Sequence, residues 1–248
     1  MQLDPAAIHP SPFSERFPHH LARTPTVFIR DSLELLRERG IEDKTLDGLV
    51  AALPTGAIIA GGYLTSVLMG DTKASKDIDL FFTGAEPFAA TVNQLLNPLP
   101  KPEREEGEKD IHAAWRGYEL LGGQKALDEV NTARFLTFRH TKGYQPDLQL
   151  IRLGWYTDAA HVLDSFDITL SCWAVDSGGL TYLPAAFLDI SRKRIVVRRL
   201  SFPASTLRRV IKYTKKGFYA CPGSLAALCE QIAVFKGDLG SREVISVD

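Results

Sequence analysis

Residues 60–82, Ala-Gly-Gly-Tyr-Leu-Thr-Ser-Val-Leu-Met-Gly-Asp-Thr-Lys-Ala-Ser-Lys-Asp-Ile-Asp-Leu-Phe-Phe, constrain this chain more than any other stretch. The pair Gly61-Gly62 closes the apolar run that ends at Ala60 and opens a segment with helical periodicity. Asp77-Ile78-Asp79 follows inside a second apolar run. Side chains alternate across a strand, so a strand here sets Asp77 and Asp79 on one face while Ile78, Leu80 and Phe82 pack behind. Two carboxylates one residue apart on a rigid strand suit a hard divalent cation that keeps part of its water and also ligates a substrate phosphate. The glycines let backbone N–H groups come close to phosphate oxygens at a helix start.

This stretch resembles the signature of the DNA polymerase β-like nucleotidyltransferase superfamily: a Gly-Gly or Gly-Ser turn, a helix, then Asp-x-Asp on a strand. The spacing is similar to that of tRNA CCA-adding enzymes and bacterial poly(A) polymerases, although Thr65-Ser66 stand where those enzymes carry Arg-Asp. The resemblance covers roughly residues 55–176. It implies an α/β (α+β) nucleotidyltransferase core with a mixed sheet, flanked by an N-terminal arm and helices (1–54) and a C-terminal basic helical lobe (177–248). It also implies Mg²⁺ or Mn²⁺ as cofactor and an NTP as substrate. The expected reaction is transfer of NMP to a hydroxyl of an RNA 3′ end, a protein or a small molecule, with release of pyrophosphate. Asp77 and Asp79 would hold the metal, Gly61 and Gly62 would approach the triphosphate, and Ser66 would offer a hydroxyl. The rival reading is a non-catalytic nucleic-acid-binding protein that keeps the fold.

Two-metal phosphoryl chemistry uses a third acid beside the pair, and two candidates are on offer. Asp147 opens Asp-Leu-Gln-Leu-Ile-Arg on the second strand of a hairpin, where the superfamily pattern places its third acid. Asp167 sits in Phe-Asp-Ile, apolar on both sides, and an acid there needs a cation or hydrogen bonds to offset burial. The Gln-Leu-Ile and Phe-Asp-Ile-Thr segments also resemble phage and viral nucleotidyltransferase-like proteins. That likeness tips the balance towards Asp167 as third catalytic and metal-binding residue, with Asp147 the alternative.

Residues 190–216 hold ten Lys or Arg and no acid, although the whole chain carries a net charge of −1. Such an excess marks a surface for phosphates, of a nucleotide or of RNA. A basic helix over 205–216, capped by Ser205 and ended by Gly217, would bury Leu207, Val210, Ile211 and Thr214. Arg208, Lys212 and Lys216 then align at i, i+4 spacing, a nucleotide-binding ladder that can follow a triphosphate across a cleft. The resemblance implies a phosphate ligand in Lys212 and a base or ribose contact in Tyr213, for which packing within the helical lobe is the alternative.

The remaining pattern predicts an extended arm over 1–25, helices over 28–39 and 44–53, and strands over 57–60 and 77–82. Helices over 63–70, 88–97 and 158–165, a polar loop over 98–110, and a hairpin of 133–139 with 147–153 follow. A strand over 166–175 and an apolar helix over 223–235 complete it. No run approaches the length of a membrane span. Three cysteines without zinc spacing, and an N-terminus without a signal-like apolar stretch, lead us to expect a reduced, cytoplasmic setting.

Overall fold

A computed structural model describes residues 2–8, 27–38, 41, 43–71, 75–101, 110 and 112–234. In chain order the elements begin with β1 (Ile29–Asp31), α1 (Glu34–Glu38), α2 (Lys44–Ala51), β2 (Ala57–Ala60), α3 (Gly62–Leu68), β3 (Asp77–Phe82) and α4 (Ala85–Leu96). Next come β4 (Tyr118–Leu120), α5 (Gly123–Asp128), β5 (Phe135–His140), β6 (Asp147–Ile151), α6 (Ala159–Asp164), β7 (Trp173–Asp176) and β8 (Gly179–Tyr182). The C-terminal part contributes α7 (Pro184–Ser191), β9 (Arg194–Ile195), α8 (Pro203–Lys215), β10 (Tyr219–Ala220) and α9 (Pro222–Val234).

A mixed sheet of eight strands runs in the order β1-β8-β7-β2-β3-β6-β5-β4. Strands β3 and β6 are parallel, and both lie inside the sheet. Their apolar residues are therefore buried, as near-continuous apolar runs require. Ile78, Leu80 and Phe82 join a core with Leu49, Phe88, Val92 and Leu148. Phe81 faces the opposite core, among Ile58, Ile151, Val162 and Leu163. Full burial of a side chain such as Phe82 stabilises the fold by about 1.5–3 kcal/mol. A third cluster (Ile168, Leu170, Ile195, Val210, Tyr213, Phe218 and Leu228) packs α8 and α9 against the segment after α6.

Several expectations are corrected by tertiary contacts. The helix expected over 28–39 is a strand, β1, followed by the short α1. Strand β1 pairs with β8, and Arg30 binds Asp176 through both terminal nitrogens at 2.6 and 3.1 Å. That pairing outweighs the helical pattern. The strand expected over 166–175 begins only at Trp173, because Thr169–Ser171 form a 3-10 turn and leave Asp167 on a bend. The basic helix starts at Pro203 after Phe202, so Ser205 lies buried within it rather than capping it. Proline at the first helical position explains the earlier start.

Residues 2–8 are anchored rather than extended away: Leu3 and Ile8 are buried, and Asn93 hydrogen-bonds the Leu3 backbone at both its N–H and its carbonyl. Residues 9–25 of the expected arm, 102–109 of the polar loop and 235–248 lie outside the described residues.

Candidate functional site

Strand β2 ends at Ala60, in register with Asp79 of β3. The next residue, Gly61, has φ = 96° and starts α3, its N–H donating to the Trp173 carbonyl at 3.1 Å. That left-handed conformation favours glycine. A Cβ on Gly61 would stand 3.6 Å from Asp79 Oδ2, and one on Gly62 would stand 3.8 Å from the Tyr213 hydroxyl. The turn therefore brings backbone close to the carboxylates on one side and to α8 on the other.

Across the parallel pair, Asp77 is in register with Asp147 and Asp79 with Gln149. Gln149 Nε2 donates to Asp77 Oδ2 at 2.9 Å. Asp147 instead accepts from Arg139 Nε at 3.3 Å, on the neighbouring β5.

A cavity of about 430 Å³ opens over the Asp77–Asp79 face. Gly61, Gly62 and Ser66 border it from the turn and α3, and Lys212, Tyr213 and Lys216 from α8. Phe81, Leu153, Tyr156 and Phe166 form its apolar side. Asp167, Arg199 and Arg209 also line it, whereas Asp147 and Arg208 do not.

Asp167 enters the cavity as an anchor of α8. Its Oδ2 accepts from Thr206 Oγ1 and Arg209 Nη1, each at 2.7 Å, and its side chain is 14% exposed. Among the described residues, no three His, Cys, Asp or Glu side chains form a group that could hold a metal. Of the two candidates for a third acid, Asp167 shares the cavity with Asp77 and Asp79 and Asp147 does not, and each pairs with an arginine.

The phase of α8 differs from the expected one. Val210 and Tyr213 are buried, while Leu207 and Ile211 are exposed at 38% and 47%. The bonds from Thr206 and Arg209 to Asp167 set this rotation, which turns Arg208 outward and Arg209 inward. Tyr213 packs edge-on to Phe218, and its hydroxyl lies 3.4 Å from Ser171 Oγ. The ring thus packs within the lobe while its polar end reaches the cavity. The Lys216 ammonium sits 5.8 Å from the Tyr213 ring. Burial, and then the charge of Lys212, hold it below the ordinary lysine pKa, opposed by Asp71. Burial also pushes the Tyr156 phenol up to about 12, opposed by a hydrogen bond with Ser165.

The acid-free basic segment meets acids from elsewhere in the fold. Arg194 pairs with Asp189, and both Arg198 and Arg199 pair with Asp164. Arg209, Arg199, Phe166 and Gln149 are cavity or site residues that the sequence reading did not single out. Gln149 alone had a legible signal, since it shares a strand face with Asp147 two residues earlier.

This sheet, with Asp-x-Asp on a strand beside a glycine-started helix, has the fold of a nucleotidyltransferase head. Solved structures that share it include a CCA-adding enzyme with ATP (18% identity, TM-score 0.54, covering 84% of this chain and 47% of that one). A CCA-adding enzyme with CTP is similar at 16% identity and TM-score 0.52, covering 84% of this chain and 46% of that one. The Thermotoga maritima CCA-adding enzyme complexed with tRNA-CCA matches at 16% identity and TM-score 0.51, with the same coverage of 84% and 46%. The chain thus spans just under half the length of these structures, and at such identities the likeness shows the fold alone.

The model of the Gabija anti-defense 2 family protein matches residues 33–193, and the chain belongs to that family. No curated protein sequence matches it. Among the described residues, no helix is long and apolar enough to cross a membrane.

Proposed function

We propose that this protein is a metal-dependent nucleotidyltransferase that moves an NMP group from an NTP to a hydroxyl acceptor and releases pyrophosphate. The observation that carries this reading is the meeting of Asp77, Asp79, the Gly61–Gly62 turn, Lys212 and Lys216 in one cavity. The hard oxygens of Asp77 and Asp79 fit Mg²⁺ or Mn²⁺, which favour carboxylate, phosphate and water. When bound, such an ion supplies charge neutralisation at the reacting phosphate and lowers the pKa of the attacking hydroxyl.

Lys212 and Lys216 hold phosphate oxygens from the α8 side. The backbone at Gly61 and Gly62 approaches from the other side, with the Ser66 hydroxyl behind it. Phe166 and the hydroxyl end of Tyr213 border the space left for base and ribose. Asp167 keeps α8 against the cavity through Arg209 and Thr206. The acceptor is an RNA 3′ end, a protein or a small molecule, and RNA would run along exposed cations of 190–216 such as Arg208 and Lys215. Family membership sets a counter-defence context for this chemistry.

Incubation with α-labelled NTPs, Mg²⁺ or Mn²⁺, and RNA or protein acceptors should transfer label. Asp77→Ala with Asp79→Ala should abolish that transfer in a folded protein. Nucleic-acid binding without transfer from any NTP would favour the second reading, a non-catalytic nucleic-acid-binding protein. The position of Arg208 and Lys215 outside the cavity is the observation on its side.

A further inference from the structure

Residue 149 is the neighbour of the Asp77–Asp79 pair on the next strand. It stands in register with Asp79 on the parallel strand β6. Leu148 and Leu150 point into the core behind the sheet, with Ile78 and Leu80. Alternation therefore sets Gln149 on the face that carries Asp77 and Asp79, one strand spacing of about 4.8 Å away. An acid at this position would complete a three-carboxylate site, and the chain has an amide there.

That amide has two distinct ends. Its Nε2 donates to Asp77 Oδ2 at 2.9 Å, which orients the carboxylate. A carboxylate accepts and does not donate, so the nitrogen must be the end that faces it. Its Oε1 is buried and has no hydrogen-bond partner among the described residues. A buried carbonyl left this way is unfavourable, and a cation or a donor on a bound ligand would satisfy it. The two other candidate acids are engaged elsewhere, Asp147 with Arg139 and Asp167 with Arg209.

We infer that Gln149 is the positioning residue of the cation site, and that its neutrality makes this a two-carboxylate site which takes its divalent ion together with the nucleotide. The inference rests on the proposed function and specifies the state in which the metal arrives. Two carboxylates leave most of the coordination shell of Mg²⁺ or Mn²⁺ to water and phosphate oxygens. The phosphates of the nucleotide bring those oxygens, and Lys212 and Lys216 hold them from the opposite side. Without those phosphates, Asp77 and Asp79 alone would offer carboxylate oxygens to the bare ion, with Gln149 orienting Asp77.

Binding of Mn²⁺ to the full chain, followed by electron paramagnetic resonance, tests this without any reliance on activity. The wild type should bind Mn²⁺ weakly alone and at least about tenfold more tightly with a non-hydrolysable NTP analogue, because ligand charge and number set the affinity. Gln149→Ala should weaken Mn²⁺ in the presence of the analogue by about 10–100-fold, the usual effect of losing a group that orients a ligand. Gln149→Glu should do the reverse for the bare ion and bind it at least about tenfold more tightly than the wild type, since it adds a carboxylate. That gain would show that residue 149 faces the ion, while the loss in Gln149→Ala reports the part of the amide itself.

Unchanged Mn²⁺ affinity in folded Gln149→Ala, or no gain in Gln149→Glu, would overturn the inference while leaving the proposed function standing. Failure of the wild type to bind Mn²⁺ even with the analogue would overturn both.

Discussion

Arg209 Nη1 lies 2.7 Å from Asp167 Oδ2, joining α8 to the bend after α6 across 42 residues of sequence. Thr206 Oγ1, one turn earlier on the same helix, donates to the same oxygen. A single carboxylate oxygen therefore holds the basic helix at one place and one rotation, and that rotation puts Lys212 and Lys216 in the cavity.

Asp167→Ala should destabilise the protein by about 1.5–3 kcal/mol, the range for hydrogen bonds to a charged group, as read from urea unfolding. Nucleotide affinity should fall with it, because α8 loses its register over the cavity. If Asp167 served as a metal ligand instead, Asp167→Asn would keep stability and lose only cation binding. The two measurements together separate an anchor from a ligand.

Lys212 and Arg208 lie one turn apart on α8, and only Lys212 lines the cavity. Lys212→Ala should weaken NTP binding in calorimetry and leave affinity for single-stranded RNA nearly unchanged. Arg208→Ala should show the opposite pattern if RNA follows the outer face. Its slope of log affinity against log salt should then shrink by about 0.7–0.9. Equal effects of the two substitutions on NTP binding would contradict the geometry of α8.

The two glycines of the turn should behave differently. Gly61→Ala forces a side chain into a left-handed conformation and should cost about 1–2 kcal/mol. Gly62 is a helical residue whose added Cβ would make ordinary contact with Tyr213. Gly62→Ala should keep or raise stability, since helical glycine costs about 0.5–1 kcal/mol relative to alanine. Thermal melts of both variants check the contrast.

Lys216 carries a pH signature in stability. Its pKa in the fold lies below 10.5 through burial and the charge of Lys212. The fold therefore disfavours its charged form, and the resulting destabilisation is fully present at neutral pH. It is relieved as pH rises through the depressed folded value towards the unfolded one. Lys216→Met should thus melt higher than the wild type at pH 7, lose that advantage on the alkaline side, and bind NTP more weakly. A lower melting temperature at pH 7 would show that the ammonium stabilises the fold as it stands.

Strands β2 and β3 were legible to the residue, because each apolar run is closed by glycines or opens on the Asp-x-Asp alternation. The hairpin of β5 and β6 was legible for a similar reason, with Gly143 in its turn at φ = 67°. The face shared by Asp77 and Asp79 follows from the two-residue period of a strand and nothing else. These features are local, and backbone periodicity carries them into the sequence.

What the tertiary structure alone decided is of another kind. Segment 29–31 is a strand because β8 offers it a partner. Arg209 rather than Arg208 faces the cavity because Asp167 sets the rotation of α8. The basic run is partly neutralised because Asp164, Asp167 and Asp189 come to it from other elements. Gln149 acquires its role only when parallel pairing sets it beside Asp79. Each of these depends on which distant groups packing brings within hydrogen-bond reach, and no periodicity of the chain records that.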